Sequence, residues 1–198
     1  QGDWHGALQT LQEAPQSEQI TLASAYLYYQ HGEVEKAQAL YASAIELYPN
    51  LIDAYIAASN LNLEDKRNSF EERVDSSRSV LLDAVSLHPN SWEVLIALAE
   101  LAESQNHSTE AENLYLEAVE LGFVELRPLI HLGQFYQRQY RYDEALDVFY
   151  RGLARSKNSA LIYISIGDSL FAQGQSDEAL PWYQQAMNVS RTDPQGYI

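Results

Sequence analysis

Side chains able to do chemistry are few in this sequence and spread along it. His107 stands between Glu103 and Glu110, and an imidazole with two carboxylates is a donor set that zinc accepts. The three fall in a polar turn, however, and read as a solvated loop. Glu100 and Glu103 lie one helical turn apart. Glycoside cleavage uses such a pair, one carboxyl protonated and the other ionised, but these two sit among other acids with nothing evident to hold a proton. His5, His31, His88 and His131 are isolated in sequence. There is no glycine-rich phosphate loop, nucleophile elbow or calcium loop. There is no cysteine, which removes thiol nucleophiles, thiolate metal sites and disulfides. Asn106-His107-Ser108 and Asn188-Val189-Ser190 are glycosylation sequons, relevant only to a chain that enters a secretory pathway. The expectation is a chain that is not an enzyme, with no catalytic residue, no metal and no cofactor.

A binding role remains, and charge limits its partners. Over 198 residues, 12 Lys+Arg against 28 Asp+Glu leave a net charge of −16. Nucleic acid and anionic membranes are held mainly through Lys and Arg, so neither is an expected partner. No apolar run approaches the roughly 18–20 residues that cross a bilayer, and Gln1-Gly2-Asp3-Trp4 has no leader pattern. A soluble chain without direct membrane insertion is expected, cytoplasmic or periplasmic, the compartment being undetermined. With 46 % hydrophobic residues it is apolar enough to fold.

The elements that would position a binding surface follow from a repeat. Ala7, Ala37, Ser77, Ala111, Ala145 and Ala179 share one setting. Four residues beyond each stands a large apolar side chain: Leu11, Tyr41, Leu81, Tyr115, Phe149, Tyr183. Three further on is another small one: Ala14, Ala44, Ala84, Ala118, Gly152, Ala186. These offsets share one face of an α-helix. A preceding helix carries its own small residue, Ala25, Ser59, Ala99, Gly133 or Gly167, so that two backbones approach closely while large side chains fill the groove of the facing helix. The last four units of the first series are spaced 34 residues apart, with six extra residues between Ala37 and Ser77. Gly32 and Gly174 fall where a tight turn wants a left-handed residue, and Pro49 and Pro89 stop the second helix.

This pattern resembles the tetratricopeptide repeat, a helix-turn-helix of 34 residues, along essentially the whole chain. The resemblance implies an all-α fold, a right-handed superhelical solenoid of antiparallel helix pairs. Within one solenoid over 1–198, residues 1–17 read as the second helix of a truncated repeat. Full repeats follow at 18–51, 52–91 (with the insertion), 92–125, 126–159 and 160–193, and 194–198 reads as the start of another. Phe123, Lys157 and Arg191 replace the terminal proline in later repeats. The insertion, within Leu63 to Arg73, either lengthens both helices by under one turn each or forms a projecting loop, and its charge density and Asn68-Ser69 favour a loop leading into a new helix cap. Neither end carries a polar capping helix, which suggests a segment of a longer repeat protein. Leu8 and Leu11 at one end, and Leu180, Tyr183 and Met187 at the other, are expected to be exposed and to allow weak end-to-end self-association.

The resemblance also places the first helices on a concave face, where such solenoids bind partners. One column of that face reads Leu22, Ile56, Ile96, Ile130, Ile164, an apolar ladder that serves helix stacking equally well. The next reads Tyr26, Asn60, Glu100, Gln134, Asp168, and a third reads Tyr29, Leu63, Glu103, Gln137, Phe171. Tyr26, Tyr29 and Phe171 stand out, because aromatic side chains carry much interface energy. Acids gather in the third repeat, where Glu93, Glu100, Glu103, Glu110, Glu112, Glu117, Glu120 and Glu125 meet no Lys or Arg. Arg127, His131 and Arg138 stand in the fourth. Family members that grip a C-terminal carboxylate use Lys and Asn on these helices; only Asn60 agrees. The expected partner is a protein or peptide of apolar and basic character.

Two functions stay open. One is a non-catalytic scaffold that binds a peptide or helix of a partner along the groove. The other is a regulatory or substrate-positioning arm of a larger enzyme, for example a glycosyltransferase, or of an envelope export or assembly machine.

Overall fold

Three of the first helices begin at a serine. Ser17, Ser91 and Ser159 each accept, through Oγ, the backbone N–H of the third residue beyond, Ile20, Val94 and Ile162. Each cap satisfies a donor that a helix start leaves open. The computed structural model describes residues 4–192, and the segment 194–198 expected to open a further repeat lies outside them. The described residues form eleven helices and no strand: α1 (Trp4–Glu13), α2 (Glu18–Gln30), α3 (Val34–Leu47), α4 (Ile52–Glu64), α5 (Phe70–Leu87), α6 (Trp92–Ser104), α7 (Ser108–Leu121), α8 (Arg127–Arg138), α9 (Tyr142–Arg155), α10 (Ala160–Ala172) and α11 (Ser176–Thr192). The all-α expectation agrees with this order. None of these helices is long and apolar enough to cross a membrane.

The chain divides into two compact units, 1–106 and 107–198. In the first, α2 pairs with α3 and α4 with α5, while α1 packs on α2, α3 on α4, and α5 on α6. Ala25, Ala37, Tyr41 and Leu61 form a buried cluster with Leu22 and Tyr29 packed against it. In the second, α8 pairs with α9 and α10 with α11, with α7 on α8 and α9 on α10. Tyr115 and Phe135 meet there at 5.3 Å between ring centroids, both buried. The small-against-large stripe is physical. A Cβ on Gly167 would stand 2.6 Å from Tyr183 Cε1, and the Phe149 ring fills the same role beside Gly133.

Turns between consecutive helices share a conformation more widely than their residue types suggest. Gly32 and Gly174 have φ of 77° and 81°. Asn106 and Tyr140 hold the middle of comparable three-residue turns with φ of 60°. Tyr140 does so with a side chain that disfavours the left-handed region.

The insertion does not project. Its six residues divide into two that lengthen the α4–α5 turn and four that extend α5 at its start, giving 18 residues against 14 in α3, α7 and α9. Ser69 and Glu72 close a reciprocal capping box at the new start. Arg73, on the added helical turn, donates to the Leu63 carbonyl at 2.6 Å and so satisfies an open acceptor at the end of α4. In the turn, Asp65 is only 4 % exposed. Arg67 Nε donates to it at 2.7 Å, and Arg67 also reaches Glu35 on α3, so the turn is clamped down onto the preceding hairpin. Asp65 is held down at a pKa of about 2, chiefly by the side-chain hydrogen bonds from Arg67.

The end residues differ from expectation as well. Leu8 is buried, because α1 lays it against α2 rather than toward solvent. Leu11 and Tyr183 are half-buried, the latter seated on Gly167. Leu180 and Met187 are open, at 57 % and 55 % exposed.

Candidate functional site

In the first unit, α2, α4 and α6 carry Glu18, Asp53, Glu64, Glu93, Glu100 and Glu103 and no Lys, Arg or His. The fields of these groups add to a negative potential. Between α2 and α4 lies a cavity of about 270 Å³ lined by Tyr26, Tyr29, Tyr41, Asn60, Leu61 and Glu64. Tyr26, Tyr29 and Asn60, expected from their register on the first helices, are thus brought together. Glu64 and Tyr41 are additions. Glu64 lies four residues after Asn60 on the same helix, and the face periodicity could have flagged it. Tyr41 comes from the second helix α3 and forms part of the lining while almost fully buried.

Tyr26 is 56 % exposed, and its ring centroid is 6.3 Å from that of Tyr29, the planes tilted by 51°. The Tyr29 hydroxyl donates to the Glu64 carboxylate. That bond, with burial and the negative charge beside it, pushes the Tyr29 hydroxyl up to about 12.

The remaining residues of this face are less uniform. Leu22 and Ile56 are half-buried, and Ile96 is 6 % exposed, packed into α6's buried side instead of the surface. This departs from a continuous open ladder, since α6 is apolar around most of its girth. Glu93 is half-buried and accepts from the Ser91 hydroxyl at 2.8 Å, at the start of α6. Glu100 is exposed and Glu103 half-buried.

In the second unit, Arg127 and Arg138 are exposed at the two ends of α8, with Ile130, His131 and Gln134 half-buried between them. On α10, Ile164 is half-buried. Asp168 accepts from the Tyr183 hydroxyl at 2.9 Å, and Phe171 is 61 % exposed. Gln137, in the third column, is a structural tie: its amide donates to the Ser165 carbonyl at 2.9 Å and to the Ser169 hydroxyl at 2.8 Å.

The acid-rich stretch is not free of basic partners. Glu112 receives Arg141 Nη1 at 2.8 Å and Nη2 at 3.0 Å, because Arg141 stands in the turn between α8 and α9 and α8 packs on α7. Arg141 and the Tyr136 hydroxyl hold Glu112 below the usual carboxylate range. The guanidinium lies 4.4 Å from the Tyr136 ring centroid. Burial and Glu112 push the Tyr136 hydroxyl up to about 12. His107 Nδ1 is 3.4 Å from Glu110 at the start of α7, both exposed. Among the described residues no three metal-ligating side chains converge.

The geometry has counterparts among known proteins. Tetratricopeptide-repeat family models match residues 22–51 and 125–192. The TPR repeat-containing protein YpiA of Bacillus subtilis is 25 % identical over 196 residues, covering 94 % of this chain and 44 % of its own length. The chain spans less than half the length of the curated relatives it matches. Yeast Tom70 shares the fold with a TM-score of 0.74 at 17 % identity, over 98 % of this chain and 44 % of Tom70. YrrB, described as a TPR protein with an unusual peptide-binding site, gives 0.54 at 18 % identity over 96 % of this chain and 93 % of its own. On the two family-model matches and the YpiA relative together, the chain belongs to the tetratricopeptide-repeat family.

Proposed function

We propose that the chain is a protein-interaction scaffold whose first-helix face in the first unit holds a peptide or helix of apolar and basic character. The observation that carries this reading is the cavity between α2 and α4, where Tyr26, Tyr29 and Asn60 converge with Glu64. Exposed tyrosine is a low-entropy anchor for a partner. The excess of carboxylates on α2, α4 and α6 selects a cationic partner and speeds its arrival. YrrB, which has a peptide-binding site, shares the fold and lends analogy.

In the second unit, Arg127, Ile130, His131, Gln134, Arg138, Ile164, Asp168 and Phe171 extend the proposal to a mixed surface with Phe171 as its aromatic contact. The test is panning of a random peptide display library against the chain. Enriched peptides are expected to combine Lys or Arg with apolar residues, and Tyr26→Ala and the pair Glu100→Lys with Glu103→Lys should each weaken them. Enrichment of acidic peptides, or binding indifferent to both variants, would overturn the reading.

A further inference from the structure

The cavity between α2 and α4 has a chemistry more specific than a groove. Its polar groups can all accept from a cation: the Glu64 carboxylate, the Tyr29 oxygen once its proton is committed to Glu64, the Tyr26 and Tyr41 hydroxyl oxygens, and the Asn60 carbonyl when the amide turns inward. Aromatic faces are electronegative and attract cations. Tyr26, Tyr29 and Tyr41 put three such rings into the lining. No Lys, Arg or His on α2 or α4 supplies the missing positive charge, and Glu64 would repel the carboxylate that the family's Lys/Asn arrangement takes. The volume, about 270 Å³, falls below the roughly 300–1,000 Å³ of sites for drug-sized ligands and suits a single side chain.

We propose that this cavity is an aromatic cation site that receives the ε-ammonium of a lysine side chain in the partner segment. The proposal rests on the reading of the first-helix face as a binding surface and names what that surface selects. A compact ammonium is preferred over a guanidinium because the Tyr26 and Tyr29 planes meet at 51°. A planar group stacks between parallel rings, whereas a small, nearly spherical one fits a wedge. The ammonium donates to Glu64, and its charge lies against the tyrosine faces while the methylene stem follows Leu61.

The probe is Nα-acetyl-lysine N-methylamide, titrated into protein with labelled tyrosine rings and followed by NMR, beside the neutral norleucine analogue and the arginine analogue. Resonances of Tyr26, Tyr29 and Tyr41 should move with the lysine probe and stay in place with norleucine. Glu64→Gln should weaken the lysine probe about fivefold, and so should Tyr26→Ala. Both positions are exposed, so their variants should fold, which circular dichroism checks. Equal shifts with norleucine, no shift with lysine, indifference to Glu64→Gln, or preference for the arginine analogue would each overturn the proposal. Basic peptides from the library that ignore Glu64→Gln would remove the cation site and leave the groove. A lysine probe that binds while the library returns acidic peptides would do the reverse.

Discussion

Tyr183 Cε1 lies 2.6 Å from the point at which a Cβ on Gly167 would stand. The second helix of this hairpin is therefore seated against the backbone of the first, with no space for even one methyl group. Gly167→Ala must displace the ring or part the helices. It is expected to cost about 1–3 kcal/mol, the range for overpacking a filled core, read from urea unfolding followed by circular dichroism. A change near zero would mean that Tyr183 moves aside freely.

Tyr140 holds φ at 60° with its side chain 80 % exposed. Its main packing loss on replacement is an edge contact with the Tyr142 ring at 6.3 Å. Tyr140→Gly removes the left-handed penalty, and part of the gain is offset by the extra freedom of glycine in the unfolded chain. A net stabilisation of about 0.5–1 kcal/mol is expected in the same assay, and a loss would contradict it.

Asp65 links the insertion to acid stability. Its folded pKa, about 2, lies below its ordinary value of 3.8, so the folded state favours the ionised form. The stabilisation is therefore complete above about pH 4 and disappears as pH falls through 2. Because Arg67 is partly exposed, solvent discounts the contribution to about 1–2 kcal/mol. Asp65→Asn should lower stability by that amount at pH 7 and flatten the decline of the urea midpoint between about pH 4 and 2. An unchanged acid slope would remove Asp65 from the linkage.

Leu180 and Met187 stand open on α11, which bears on self-association. Sedimentation velocity at high concentration is expected to show weak association in the 198-residue chain, lost in the variant with both Leu180→Lys and Met187→Lys. A strict monomer in both would dismiss it.

Much of this architecture could be read from residue spacing because one physical constraint repeats. A small residue at Gly133 or Gly167 must face a large one at Phe149 or Tyr183, and both appear in sequence at helical offsets. Register placed Tyr26, Tyr29 and Asn60 on one face for the same reason. Spacing is silent where conformation or charge depends on a partner elsewhere. Tyr140 adopts a glycine's conformation because the turn imposes it. Glu112 meets Arg141 only when the α8–α9 turn folds back toward α7, and Glu64 meets Tyr29 only across the cavity between α2 and α4. Leu8 is buried because α1 has α2 to lie on, which no pattern within α1 reveals.

The division of the insertion into four residues and two follows from length matching. Four residues added to a helix advance its start by about 6 Å, at 1.5 Å each. The connecting chain must then recover that distance to reach the unchanged end of α4, and it has two further residues for this in a turn where the Asn68 N–H donates to the Asp65 carbonyl at 3.2 Å. Four is also close to one full helical turn, so the added residues restart on nearly the same angular position and the stripe of Ser77, Leu81 and Ala84 keeps its facing. Growth of a packed hairpin is thus quantised: one turn of helix and the stretch of chain needed to climb back over it.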